Sequence, residues 1–143
     1  MIKKIILIFI LFVLSLFSQV EIEDDTLYVR TSEDKDKNLH CEILIDETGG
    51  WGIYFIEGNE QINIIQTDNF KIYFNAIDVR KLNDGSFMST TISLDNNTQK
   101  KYLKDIINSE YVVIATYEKV YAFNFNKYKK ELENNAFYKK IMQ

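Results

Sequence analysis

The run Gly52-Ile53-Tyr54-Phe55-Ile56-Glu57-Gly58-Asn59-Glu60-Gln61-Ile62-Asn63-Ile64-Ile65-Gln66 decides the class of fold. Two segments rich in β-branched and aromatic residues flank a Gly58-Asn59 pair, and glycine supplies the positive φ that tight hairpin turns require. The spacing therefore predicts a β-hairpin across Gly58-Asn59. The pattern continues outward on both sides. Phe70, Ile72 and Phe74 alternate with Lys71, Tyr73 and Asn75 in the run Phe70 to Ile77. Such alternation places one face of a strand in the core and the other in water. Phe87 to Ser93, Leu27 to Arg30 and Glu42 to Ile45 read as further strands. Turn-forming residues separate them at Asp46 to Gly50, Asp68-Asn69 and Asp84-Gly85.

The period changes after residue 95. Leu103, Ile106 and Ile107 recur at helical spacing in Thr98 to Asn108, with Lys100, Lys101 and Lys104 on the opposite side and capping-type Asp95, Asn96 and Asn97 ahead of them. Tyr111 to Tyr117 and Val120 to Phe125 return to strand composition around Glu118-Lys119, with Tyr121, Phe123 and Phe125 expected on one side. Asn126 is the expected N-cap of a closing helix to about Lys140 that buries Tyr128, Leu132, Ala136 and either Phe137 or Ile141. The expected fold is α+β: a β-rich antiparallel meander or sandwich with two short helices.

A chain of 143 residues with 46% hydrophobic and 27% charged composition has the size and balance of a single globular domain, which excludes a disordered or polytopic membrane protein. Its apolar residues are concentrated at the start. Lys3 and Lys4 precede Ile5 to Phe17, where only Ser15 is polar, and Ser18, Gln19 and Glu21 follow. This is the layout of a secretory signal peptide at residues 1–18, ahead of one β-rich domain at 19–143. A retained leader would tether the domain to a membrane, but a span needs about 20 apolar residues. Val20 to Asp25 and Thr31 to Asn38 are strongly charged, so residues 19–38 are expected to form a partly flexible arm and loop around a short strand. The lone Cys41 cannot form an intrachain disulfide and reads as a small buried hydrophobe. Charge divides unevenly: 13 acidic and 3 basic residues lie between Glu21 and Asp68, against 8 acidic and 12 basic from Asn69 onward. No concentrated basic face of the kind that neutralises phosphates is present, which argues against a nucleic-acid partner.

Candidate chemistry is sparse. Asp34-Lys35-Asp36-Lys37-Asn38 has the Asp-x-Asp-x-Asn spacing that opens a calcium loop. Leu39 stands where that loop needs glycine, however, and Ile45 where it needs glutamate, so a solvated charged loop is expected and no metal or cofactor is assigned. His40 is the single histidine. Its neighbour Cys41 would point to the opposite strand face, so no nucleophile and base pair is available and no catalytic residue is assigned. Gly49-Gly50-Trp51-Gly52 sets the only tryptophan among glycines. Trp51 either closes a hairpin mouth over the core or, with Tyr54, presents an aromatic contact surface.

From Ser86 to about Asn134 the order of features resembles small exported bacterial proteins, namely the accessory family associated with type VI secretion and the invasion-associated locus B family. The matching features are Ser93-Leu94-Asp95, the helix around Leu103 and Ile107, the strand Tyr111 to Thr116, and Tyr121-Ala122-Phe123-Asn124-Phe125 before a helix. The extra cysteines and last-turn glycine usual in those families are absent. The resemblance implies an envelope-located, non-catalytic β-rich domain. The function expected is binding of an envelope protein or cell-wall component in the periplasm or outside the cell, with a small carboxylate-dependent hydrolase or a membrane-tethered domain as alternatives.

Overall fold

A computed structural model describes residues 19–33, 35–36, 38–75 and 78–143, and the proposed leader at 1–18 lies outside them. Among the described residues ten strands form two antiparallel sheets, giving an α+β fold that is mostly β-sandwich. The six-stranded sheet has the order β1-β2-β3-β4-β8-β7, from β1 (Val20–Glu23), β2 (Thr26–Ser32), β3 (His40–Asp46), β4 (Trp51–Phe55), β7 (Val79–Lys81) and β8 (Phe87–Thr90). The four-stranded sheet has the order β10-β9-β5-β6, from β5 (Ile64–Gln66), β6 (Lys71–Tyr73), β9 (Val112–Ala115) and β10 (Val120–Phe123).

The hairpin expected across Gly58-Asn59 does not form. β4 pairs with β3 and β8, whereas β5 pairs with β6 and β9 in the other sheet, so the segment between them is the crossover that joins the two layers. The positive φ there falls on Glu57, at 55°, not on Gly58. Long-range bonds hold the crossover open: the Ser89 hydroxyl donates to the Ile62 carbonyl at 2.6 Å, and the Glu60 carboxylate accepts from the Thr116 hydroxyl at 3.0 Å and from the Tyr121 hydroxyl at 3.3 Å. These tertiary partners outweigh the local turn signal. Of meander or sandwich, the chain forms the sandwich.

At the N-terminus, Val20 to Asp25, expected as part of a charged arm, forms β1 and a two-residue turn onto β2. Asp24 and Asp25 have φ of 47° and 58°, the pair of left-handed residues that a type I′ hairpin needs, which short polar side chains tolerate.

The first helix, α1 (Asn96–Asn108), starts where the capping residues place it: Asp95 accepts from the Thr98 N–H at 3.0 Å. It buries Leu103, Ile106 and Ile107 together with Gln99. The closing helix is not continuous to Lys140. A 3-10 turn over Asn126–Tyr128 leads into α2 (Lys129–Asn134), and Asn135 is extended before α3 (Ala136–Met142). Asn135 is the reason for the break, because its side chain accepts the Tyr138 N–H at 3.1 Å and so caps a new helix. Asn126 does not act as an N-cap. Its amide donates to the Ile107 carbonyl at 3.0 Å and ties this segment to the end of α1. The break turns Ala136 outward and puts Tyr138 and Ile141 in the core beside Leu132, and burial pushes the Tyr138 hydroxyl up to about 12.

One hydrophobic core runs between the layers. Leu27, Val29, Ile43, Ile45, Ile53 and Phe55 face it from the larger sheet, while Ile65, Ile72, Ile114 and Phe123 face it from the smaller one. The Phe55 and Tyr121 rings meet edge to face with centroids 5.2 Å apart. Phe70, Ile72 and Phe74 pack inward and Lys71, Tyr73 and Asn75 outward, as the alternation requires. Cys41 is fully buried, and the loss of water raises its thiol well above the usual range.

Candidate functional site

The expected contact residues, Trp51 and Tyr54, sit on opposite faces of β4. Trp51 faces the core and is 4% exposed. Its indole N–H donates to the Gln99 carbonyl at 2.9 Å, and its own backbone is clamped by Thr91, which donates its N–H and hydroxyl to the Trp51 carbonyl at 3.0 and 2.9 Å. Trp51 therefore joins β4, β8 and α1 from inside and is not a presented aromatic. Tyr54 lies on the outward face in one cross-strand row with Glu42 and Arg30. The Tyr54 hydroxyl donates to Glu42 Oε1, and burial followed by that carboxylate pushes the phenol well above its ordinary value, so Tyr54 remains a donor.

Of the residues considered for calcium, Asp36 and Asn38 are described. Asp36 Oδ1 accepts the N–H of Asn38 at 3.0 Å in an Asx turn, and Asp34 lies outside the described residues. Among the described residues, no group of three or more His, Cys, Asp or Glu side chains is placed to hold a metal ion. The sole histidine, His40, lies in β3 beside Cys41 with its Nδ1 buried and without a hydrogen-bond partner.

Glu33 carries the structure of this loop. Burial alone would raise its carboxyl, but the N–H groups of Asp36, Ala122 and Lys35 hold it below its ordinary 4.5. Because Ala122 belongs to β10, the same carboxylate fastens the loop to the edge of the smaller sheet beside the Glu33 to Phe123 bridge. A carboxyl lowered on folding adds stability above the unfolded value that is lost as pH falls through the folded one. Glu33→Gln is expected to cost about 1–3 kcal/mol at neutral pH and to flatten the acid limb. Urea midpoints between pH 7 and pH 2 measure this, and an unchanged acid limb would contradict it.

The feature that stands out is the outward face of the four-stranded sheet. Cross-strand register aligns Val120, Ala115, Ile64 and Tyr73 in one row and Ala122, Val113, Gln66 and Lys71 in the next. Small or half-covered side chains form the middle, with Tyr73 and Val120 standing at the two edges, 61% and 71% exposed. Tyr117, 87% exposed, projects from the β9–β10 turn at one end. Seven large hydrophobic side chains are exposed among the described residues, and five of them (Tyr73, Tyr111, Val113, Tyr117 and Val120) lie on these strands or immediately beside them. Scattered exposed apolar residues are ordinary, whereas several gathered on or beside one sheet make its outward face the candidate contact surface. The sequence signals it only in part: Val113 and Val120 sit in strand-like runs where an outward polar residue is the usual choice.

The sheet edges offer less. β1 carries Glu21 and Glu23, β7 carries Arg80 and Lys81, β6 is three residues long with Lys71, and the Glu33 bridge covers part of β10. Short, charged or covered edges resist strand addition.

Fold and surface thus define a two-layer β-sandwich domain with an apolar outer sheet face. Neither a family model, nor a curated protein, nor a solved structure matches the chain. No described helix is long and apolar enough to cross a membrane.

Proposed function

We propose that this protein is an exported, non-catalytic binding domain that engages a protein of the cell envelope through the outward face of its four-stranded sheet. The observation that carries the reading is the gathering of Tyr73, Val113, Tyr117 and Val120 on or beside that face. An apolar face of this kind gains from burial at roughly 25 cal/mol per Å² and favours a protein surface over a small polar ligand. Export rests on the basic and apolar layout of residues 1–18 and on the resemblance of Ser86 to Asn134 to exported accessory proteins. This surface replaces Trp51 as the expected protein contact, since Trp51 is only 4% exposed.

The test is recovery of partners from the envelope fraction by the tagged protein and by a Tyr73→Asp/Val120→Asp variant. Both side chains point outward, so each substitution should alter stability by no more than about 0.5 kcal/mol. The protein should recover a defined partner that the variant loses. Equal recovery by the variant would defeat the assignment of the face. Mass spectrometry of the mature N-terminus, expected near residue 19, tests export.

A further inference from the structure

The other sheet carries a second, independent feature. On the outward side of the six-stranded sheet a groove of about 270 Å³ runs over Leu44, Gly52 and Met88 and ends at the Asp46 to Gly50 turn. Two acceptor oxygens at that end have no hydrogen-bond partner among the described residues. Asp46 Oδ1 accepts from the Thr48 N–H at 2.8 Å, the Thr48 hydroxyl at 2.6 Å and the Gly50 N–H at 3.1 Å, whereas Oδ2 accepts from nothing and no cation pairs with the carboxylate. The second oxygen belongs to Gln99, which is 8% exposed. Its amide nitrogen donates to the Thr91 carbonyl at 2.7 Å and to the Leu94 carbonyl at 2.9 Å. Carbonyls accept only from a donor, so these two bonds fix the orientation of the amide and leave Oε1 turned toward the groove.

The two oxygens converge. A Cβ placed on Gly50 would lie 2.8 Å from Asp46 Oδ2 and 3.2 Å from Gln99 Oε1, so the oxygens flank one point and are within about 6 Å of each other. Gly50 is not among the positive-φ residues, so its backbone does not require a glycine; a side chain there would crowd both oxygens, which the glycine leaves uncovered. Asp46 is exposed and Gln99 Oε1 is not sealed from solvent, so both oxygens are open to a donor that arrives in the groove. A carboxylate prefers that donor to be charged, and an ammonium group has three hydrogens to share between two acceptors. Leu44, Met88 and the bare Gly52 backbone offer an apolar bed beside it, and Arg80, which makes no ion pair with Asp46, also lines the groove.

We propose that this groove binds a primary ammonium carried on a short aliphatic body, with the ammonium held between Asp46 Oδ2 and Gln99 Oε1. A free small amine and the amino terminus of a peptide share this chemistry. Trp51 lines the groove and is the only tryptophan, so its emission reports occupancy. Leucinamide and Leu-Gly-Gly serve as the two amine probes, and N-acetyl-leucinamide supplies the same body without the charge. A saturable emission shift is expected with one or both amine probes at concentrations to about 10 mM, and none with the acetylated compound. A response to Leu-Gly-Gly alone assigns the site to peptide amino termini; a response to leucinamide shows that a small amine suffices. Asp46→Asn keeps Oδ1 for the turn but replaces Oδ2 with a donor, and should weaken binding at least tenfold. Gly50→Ala keeps the charge but puts a methyl 2.8 Å from Asp46 Oδ2, so it should abolish binding at some cost in stability, with circular dichroism showing that the variant is folded. Absence of a saturable shift with both amine probes, equal binding of the acetylated compound, or parental affinity in both variants would each overturn the proposal.

Discussion

Replacing Trp51 with alanine is expected to destabilise the domain by about 3–5 kcal/mol, the usual cost of removing a large buried aromatic ring. The indole is 4% exposed and sits where three elements meet: it starts β4, its backbone bonds Thr91 beyond the end of β8, and its N–H reaches the Gln99 carbonyl in α1. Deleting it opens a cavity and leaves a helix carbonyl without its donor at the same time. Domains of this size are held by roughly 5–15 kcal/mol in total, so the variant should be detectably unfolded at moderate temperature. Trp51→Phe keeps most of the packing and loses only the N–H, so it should cost about 1–3 kcal/mol. Urea unfolding followed by far-ultraviolet circular dichroism measures both, since neither variant retains an indole to observe. If Trp51→Ala costs less than about 1 kcal/mol, the ring is not part of the core.

The difference between Trp51 as core and Trp51 as contact surface lies in what local sequence encodes. Strand alternation is local, and the buried faces of β6 and β10 follow directly from Phe70, Ile72 and Phe74 and from Tyr121 and Phe123. The start of α1 is equally local, because Asp95 caps it within three residues. What failed to show was set by distant partners. The Gly58-Asn59 pair carries a strong turn signal, yet the adjoining chain is held by Ser89, Thr116 and Tyr121, none of which the turn can announce. Asn126 looks like a cap until the end of α1 is brought beside it. The outward row of Val120, Ala115, Ile64 and Tyr73 is likewise invisible, because its members are far apart in the chain and only the register of three strand pairs aligns them. Asp46 and Gln99 converge for the same reason, through a helix laid against a hairpin turn.

The second large effect concerns the wet face of the six-stranded sheet, where Arg30→Leu is expected to cost about 3 kcal/mol. Arg30, Glu42 and Tyr54 stand side by side on β2, β3 and β4. Arg30 Nε and Nη2 both reach Glu42 Oε2, at 3.0 and 2.9 Å, while the Tyr54 hydroxyl serves Oε1. The Glu42 side chain is only 4% exposed and that of Arg30 39%. Removing the arginine therefore leaves a nearly buried carboxylate with Tyr54 as its remaining side-chain donor, a change that costs about 3–5 kcal/mol in a dry interior. The half-exposed guanidinium places this pair at the lower end, because solvent already screens its charge. If the penalty comes from the stranded charge, removing both charges should repair it. Arg30→Leu/Glu42→Leu should be more stable than Arg30→Leu alone, with the Tyr54 hydroxyl, on a half-buried side chain, turning to water. Urea unfolding of the single and double variants completes the cycle. A double variant that loses the sum of the two single penalties would show that the row contributes through packing and not through charge pairing. Pairing of this kind saturates the polar groups of the Arg30, Glu42 and Tyr54 row among themselves, so the row contributes to the fold and its loss is read in stability.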